Sequence, residues 1–402
     1  MTSATSVRRL LSNPHTLSIE WAEGEVSEFA SVWLRDNRRE DRDPHSGQRL
    51  TDIVDSPEDP RIRSAVVDSD AVNVEWEGEP RRDSFDLQWL RAHASTDGPA
   101  QPFARRLWLE GARLDATRDF GWATFSDVQT DTALRADWLT RLLQDGIAFL
   151  GGMPARDGGI LEAAALAGRI LETNYGSVFD VRSVPQPENL AYSDLGLGLH
   201  TDNPYREPVP GFQALHAWVT SPAGGDSIFA DGAALAEHLR AVDPGAFAIL
   251  TQTAVPFLYR TKDAELYAER PLIQLSCAGE VMAVHYNSRS IAPLRLAAKK
   301  LPAFYGAYRR FAGLLRETQF QVHLRLRDGD LVMFDNQRIL HGRSAFSSAQ
   351  HRRHLRGCYL SRDSVYSTVA LLRRGLDSDA ASSGYCGAAT GTRDHPMPRS
   401  SG

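Results

Sequence analysis

Two residues in the middle of the chain, His200 and Asp202, have the side-chain types and the spacing of a metal site. They lie in the stretch Leu199-His200-Thr201-Asp202-Asn203-Pro204-Tyr205-Arg206. In an extended segment residues i and i+2 project to the same side, so an imidazole nitrogen and a carboxylate oxygen can converge on one point. Those are two of the three donors of the 2-His-1-carboxylate facial triad, which holds Fe(II) on one face and leaves the other open. A lone His-x-Asp is weak in a chain with 12 histidines. The rest of the chain has to supply a third donor and the elements that position it.

That donor should be a histidine far downstream on a later strand. His341 stands after the apolar run Leu331–Phe334, a predicted buried strand that leads into a loop. Taken alone, His341 reads more plainly as a capped loop histidine. His216 sits in a buried-looking strand and reads as a core residue, and His351 and His354 lie among arginines. The run His351-Arg352-Arg353-His354-Leu355-Arg356 suggests an anion site. An oxygenase that uses 2-oxoglutarate needs a fixed cation for the distal carboxylate, and arginine offers the planar, bidentate fork. A solvated basic surface is the other reading. Ser227, in Gly224-Gly225-Asp226-Ser227, can add a hydroxyl donor or simply belong to a glycine turn.

The elements that position these residues fall into two blocks. Residues 1–95 read as a small β-rich domain. Thr16–Trp21 and Ala71–Trp76 alternate apolar and polar residues, Glu28–Leu34 is a further strand candidate, and Ser84–Arg91 reads as a short helix. The charged stretch Arg35–Gln48 reads as a solvated loop. Residues 96–102 are a linker by composition. Residues 103–376 form the larger domain. Helices are predicted over Thr132–Asp145, Gly159–Thr173, Ala233–Ala241 and Ala303–Glu317. Strands are predicted at 146–150, 213–218, 227–230, 273–275, 281–284, 331–334 and 357–360. Many short strands with a few helices indicate a mainly β, α+β architecture, a double-sheet jelly roll with helices on one face. The Ser-, Gly- and Ala-rich tail, residues 377–402, is expected to be disordered.

Composition narrows the function. With 42% hydrophobic and 24% charged residues the chain is globular. A net charge of -6 argues against a general nucleic-acid binder. Three cysteines, Cys277, Cys358 and Cys386, form no CxxC pair and no disulfide framework, which fits a cytoplasmic location. No apolar stretch spans a bilayer, and Met1–Leu11 shows no signal-peptide pattern.

Four motifs in order carry a family resemblance: His200-Thr-Asp202, Gly224-Gly-Asp-Ser-x-x-x-Asp-Gly232, Phe334-Asp-Asn-x-Arg-x-Leu-His-Gly-Arg343 and Arg353-His-Leu-x-Gly357. Together they resemble the Fe(II)/2-oxoglutarate dioxygenases, in particular the γ-butyrobetaine and trimethyllysine hydroxylase branch. Trp33-Leu-Arg-Asp-Asn37 is similar to the opening of that branch's N-terminal domain, and the likeness runs from about residue 15 to 372. The resemblance implies a double-stranded β-helix catalytic domain. It implies His200, Asp202 and His341 as iron ligands and Arg353 as the 2-oxoglutarate anchor, assisted by Ser227, with Arg352 the neighbouring choice. O2 would be the oxidant and ascorbate a stimulant. Related halogenases leave the carboxylate position open for chloride, so Asp202 favours hydroxylation. A small-molecule substrate and a homodimer are implied as well.

Two further expectations follow. Family members often carry a zinc site of three cysteines and a histidine in the N-terminal domain. Here Arg38, Glu40 and Asp43 stand at the cysteine positions and Arg81 near the histidine region, so no zinc is expected. The domain would then serve dimerisation or cover the active site. The substrates of the branch carry a trimethylammonium group, which aromatic faces hold. Tyr175, Phe179 and Tyr192 resemble the cage positions, and Tyr205 offers another wall. Asn189 and Asn287 resemble positions that hold a carboxylate. If Arg206 and Arg289 also point inward, a phosphonate dianion such as 2-trimethylaminoethylphosphonate would suit the site better. A non-catalytic metal- or ligand-binding β-helix module is the remaining alternative.

Overall fold

The structure is a computed structural model that describes residues 6–94, 103–115, 119–182, 195–221, 223–347 and 353–383. The chain divides into two compact units, Met1–Gln101 and Pro102–Gly402.

The first unit holds two three-stranded antiparallel sheets, β1 (Val7–Asn13), β2 (Thr16–Trp21) and β3 (Val26–Ala30), then β4 (Ile62–Asp68), β5 (Ala71–Trp76) and β6 (Arg82–Asp86). The alternation read in the sequence is realised in β2 and β5, whose Leu17, Ile19, Trp21, Val72, Val74 and Trp76 are buried in one cluster. Two boundaries differ from expectation. The strand candidate Glu28–Leu34 stops at Ala30, and helix α1 (Ser31–Asp36) follows. Its buried positions change to helical spacing, and the Asn37 side-chain amide donates to the Trp33 carbonyl at 2.9 Å to close it. In the helix candidate Ser84–Arg91, α2 (Leu87–Ala92) begins only after Asp86, which accepts the Trp89 N–H at 2.7 Å.

An ion-pair cluster stands near the positions discussed for zinc. Arg38, 6% exposed, donates to Asp41 through Nε at 2.9 Å and Nη2 at 2.8 Å, and its Nη1 lies 3.7 Å from Asp83. Asp83 also accepts the Trp76 indole N–H at 2.6 Å. Its carboxyl pKa is raised because burial outweighs these partners. Arg38→Ala would leave Asp83 buried without its cation and is expected to lower the stability of this unit by about 2–3 kcal/mol. A denaturant midpoint unchanged in that variant would refute the contribution.

The second unit contains two larger sheets. One runs in the order β7 (Gly121–Thr124), β8 (Ile147–Gly151), β18 (Leu331–Asp335), β11 (Phe212–Val219), β20 (His354–Leu360) and β9 (Phe179–Arg182), antiparallel except for β7–β8. The other runs β10 (Leu197–His200), β19 (Ile339–Arg343), β12 (Ser227–Asp231) and β17 (Val322–Leu324). They face each other across Ile147, Phe149, Val332 and Phe334 on one side and Phe229, Val322 and Ile339 on the other, all buried. Two small hairpins, β13 (Val255–Arg260) with β14 (Glu265–Arg270) and β15 (Ile273–Leu275) with β16 (Val281–Val284), complete the strands.

The helices are α3 (Phe125–Thr130), α4 (Thr132–Asp145), α5 (Gly159–Ala167), α6 (Gly232–Val242), α7 (Pro244–Gln252), α8 (Leu301–Arg316) and α9 (Arg362–Ser383). Helix α4 has its expected bounds, since Asp131 accepts the Ala133 and Leu134 N–H groups at its start and Gly146, at φ 77°, ends it in the left-handed region. Helix α5 ends at Ala167, short of the expected Thr173. Arg169 donates its N–H to Ser364 Oγ at 2.8 Å and Ile170 pairs with Leu360, so tertiary partners take over the backbone. Helix α9 continues to Ser383, past the Asp377 boundary expected for a disordered tail. Its N-terminal half buries Val365 and Val369 against the core. Among the described residues no helix is long and apolar enough to cross a membrane.

Candidate active site

Register brings the three candidate ligands together. His200 on β10 pairs directly with His341 on β19, and their rings are 4.3 Å apart. His341 is thus on a later strand, as expected for a third donor, and is not the capped loop histidine that it resembles when read alone, because the ladder resumes at Ile339 after a three-residue turn. Asp202 follows β10, with Oδ1 3.3 Å from His200 Nε2 and Oδ2 3.8 Å from His341 Nε2. One ligand atom from each residue lies within 4.8 Å of the others, and this is the one such cluster of His, Cys, Asp or Glu among the described residues.

The chemistry of this set fits a divalent iron. The His200 Nδ1–H donates to the Gly198 carbonyl at 2.9 Å, which leaves the Nε2 lone pair for a metal. Burial, reinforced by His200, pulls the His341 pKa down to about 3, so its ring is neutral at physiological pH. Burial alone would raise the pKa of Asp202, but His200, His341 and the Tyr359 hydroxyl outweigh it and keep the carboxylate ionised. Tyr359 donates to Asp202 Oδ2 at 2.8 Å.

The triad opens into a cavity of about 450 Å³. At one end stand Ser227, Gln213, Arg343 and Arg353, each less than a tenth exposed. Strand register sets Ser227 opposite Arg343. Burial first, and then Arg343, lower the Arg353 pKa to about 10, which leaves it charged at neutral pH. Gly225, at φ 72°, leaves room for Arg353, since a Cβ there would sit 3.0 Å from its Cδ. Buried guanidinium groups beside a hydroxyl have the chemistry to hold a carboxylate such as that of 2-oxoglutarate. Arg352 lies outside the described residues.

At the other end the walls are aromatic: Tyr175, Phe179, Tyr205, Tyr259 and Tyr359. Phe179 and Tyr359 stand 5.0 Å apart, and Tyr205 stacks on Tyr259 at 5.0 Å. Tyr359 and Tyr259 were not anticipated. Arg353, just before β20, and Leu355 and Tyr359 on it all line the cavity, so the period of two counted on from Arg353 would have found Tyr359. Tyr259 arrives on the β13–β14 hairpin, for which no local pattern was read. Asn287 and Arg289 line the same cavity. Arg289 is exposed at its mouth, yet the desolvation of its guanidinium by the surrounding walls lowers its pKa, partly offset by Asp202. Arg206 is placed elsewhere. It bonds to Asn174 and lies over the rings of Tyr175 and Tyr205 at 5.6 and 5.9 Å, and it is not a lining residue. Asn189 and Tyr192 lie outside the described residues. His216 and His354 take no part in the cavity: His216 accepts from the Trp218 indole at 3.0 Å, and His354 pairs with Asp180 at 2.7 Å.

Facing sheets, a two-histidine, one-carboxylate cluster and a cavity lined by buried arginines are the arrangement of a non-haem Fe(II)/2-oxoglutarate-dependent dioxygenase. Residues 113–359 match the family described as taurine catabolism dioxygenase TauD, TfdA family, and residues 8–91 match the N-terminal domain described as gamma-butyrobetaine hydroxylase-like. The chain belongs to this family, in its γ-butyrobetaine and trimethyllysine hydroxylase branch. It is 35% identical to a gamma-butyrobetaine dioxygenase of Pseudomonas sp. (strain AK-1), covering 89% of this chain and 94% of that one. It is 27% identical to the gamma-butyrobetaine dioxygenase of Homo sapiens, covering 92% and 97%. A crystal structure of a putative alpha-ketoglutarate-dependent taurine dioxygenase from Burkholderia xenovorans aligns with a TM-score of 0.46 at 16% identity, covering 57% of this chain and 83% of that one. Iron and 2-oxoglutarate are the cofactor and co-substrate of this enzyme, so it is not a non-catalytic module.

Proposed function

We propose that this enzyme hydroxylates a small trimethylammonium zwitterion, converting γ-butyrobetaine to carnitine, with His200, Asp202 and His341 holding the iron and Arg353 and Ser227 anchoring 2-oxoglutarate. The observation that carries the substrate is the aromatic end of the cavity. Five rings face a space that also adjoins the metal cluster, and a quaternary ammonium binds by such faces because it has no hydrogen-bond donor. Asn287 and Arg289 supply an amide and one cation for the anionic end. With Arg206 turned to Asn174, the charge matches a carboxylate better than a phosphonate dianion. When bound, iron and 2-oxoglutarate would, with O2, supply an oxidative decarboxylation to succinate and CO2 in which one oxygen atom of O2 goes to succinate and the other into a C–H bond of the substrate. The chain's own residues fix which C–H bond is presented: the cage holds one end, Asn287 and Arg289 the other, and the apolar walls Leu215, Phe229 and Leu355 limit water.

The same reading treats the two facing sheets as a double-stranded β-helix spanning residues 103–376 and residues 1–95 as a separate small β-rich domain, in keeping with the two compact units. It also includes a homodimer in the cytoplasm; a monomer mass by light scattering would remove the dimer.

The deciding assay supplies Fe(II), 2-oxoglutarate and O2 with γ-butyrobetaine or 2-trimethylaminoethylphosphonate and follows succinate and hydroxylated product by mass spectrometry. Carnitine formation coupled to succinate is expected, and preferential turnover of the phosphonate would overturn the carboxylate reading. Tyr259→Ala is expected to weaken γ-butyrobetaine binding roughly 5- to 30-fold, the worth of about 1–2 kcal/mol of cation–π contact. An unchanged KM would remove Tyr259 from the cage.

A further inference from the structure

The three candidate ligands are not held in the same way. His200 and His341 are locked by the β10–β19 ladder, in which they face each other. Thr201 is tied by the Tyr286 carbonyl, which accepts its N–H at 2.7 Å, and by Asn287 Nδ2, which donates to its carbonyl at 3.1 Å. Asp202 comes after the end of β10, and the chain turns at once, because Asn203 adopts φ 56°. Among the described residues no strand pairs with the Asp202 peptide groups.

One side chain takes that place. Asn336 Oδ1 accepts the Asp202 N–H at 2.7 Å, and Asn336 Nδ2 donates to the Asp202 carbonyl at 3.0 Å. Its Nδ2 also donates to the Pro210 carbonyl at 3.2 Å, and its own N–H donates to the Gly211 carbonyl at 2.9 Å. Asn336 is fully buried, in the turn between β18 and β19, five residues before His341. A carboxamide presents one acceptor and one donor side by side, as a peptide group in a β-ladder does. Aspartate lacks the donor and glutamine is one methylene too long. We propose that Asn336 is a positioning residue for Asp202: it replaces the missing strand partner and fixes the carboxylate's backbone against the His200–His341 pair. The inference rests on the reading of His200, Asp202 and His341 as iron ligands.

The test uses the full-length protein and Mn(II) as a redox-inert probe. Asn336→Ala is expected to raise the Mn(II) Kd about 10- to 100-fold, the usual cost of losing a partner that orients a ligand. It should also shrink the rise in melting temperature that Mn(II) produces in the parent. A purely structural role would lower the melting temperature of the metal-free protein but leave Mn(II) affinity within twofold of the parent, and that result overturns the proposal. If the alanine variant does not fold, Asn336→Ser, whose hydroxyl can meet one of the two peptide groups, takes its place. It is expected to bind Mn(II) more weakly than the parent, and affinity within twofold would again overturn the proposal. His200→Ala separates the two layers of inference. If it too binds Mn(II) like the parent, the ligand reading fails; if it loses Mn(II) while Asn336→Ala does not, only the role of Asn336 fails.

Discussion

His341→Ala is expected to abolish substrate-stimulated succinate formation, lowering the rate by about a thousandfold or more, or roughly 4 kcal/mol of transition-state stabilisation. The cause is geometric. His341 is opposite His200 in the ladder and 3.8 Å from Asp202 Oδ2, so without it only two protein donors remain on the cluster. Two donors cannot define the face on which substrate and O2 must meet. The substitution replaces a ring packed at 4.8 Å from Phe334 and is not expected to unfold the chain, which circular dichroism would verify. Turnover within tenfold of the parent would show that His341 is not a ligand.

Arg338→Met is expected to destabilise the second unit by about 3–5 kcal/mol, because it breaks a buried ion pair from one side only. Arg338 and Asp231 are 2% and 0% exposed at the side chain and bond at 2.7 Å. Arg338 also donates to the Gln144 carbonyl at 2.8 Å and the Arg106 carbonyl at 2.6 Å. Asp231 accepts the Trp108 N–H at 3.1 Å and caps α6 through Ala233 and Ala234. Methionine would fill much of the arginine's volume and leave the carboxylate buried among backbone donors alone. Asp231→Asn combined with Arg338→Met should recover part of the loss, since the stranded charge is then gone. An unfolding free energy that falls by less than about 1 kcal/mol in Arg338→Met would show that the pair contributes little.

Arg338 lies within Phe334-Asp-Asn-x-Arg-x-Leu-His-Gly-Arg343, and that motif shows how far the sequence could be read. Its histidine was legible as a third donor, but its asparagine and first arginine were quoted only as parts of a likeness. Their tasks became visible with their partners: Asp231 is 107 residues away from Arg338, and Asp202 is 134 residues away from Asn336. The helical spacing of Thr132–Asp145 was readable because the period and both caps are local. The end of α5 was not, because the contacts that stop it come from α9.

The sequence by itself determined the chemistry of the site. The i, i+2 spacing of His200 and Asp202 pointed to one shared metal position, although Asp202 lies beyond the end of β10 and its peptide groups are held by Asn336. The resemblance pointed to Arg353 and Ser227, which do line the same cavity. The tertiary structure alone decided the shape of that cavity. Arg206 and Arg289 look equivalent as isolated cations, but one is engaged by Asn174 and the other lines the cavity. Tyr259 enters on a hairpin, and His341 is strand rather than loop because β10 and β12 pair with it from either side. Strand pairing joins residues far apart in the chain, and hydrogen-bond partners at such separations leave no periodic trace in either segment.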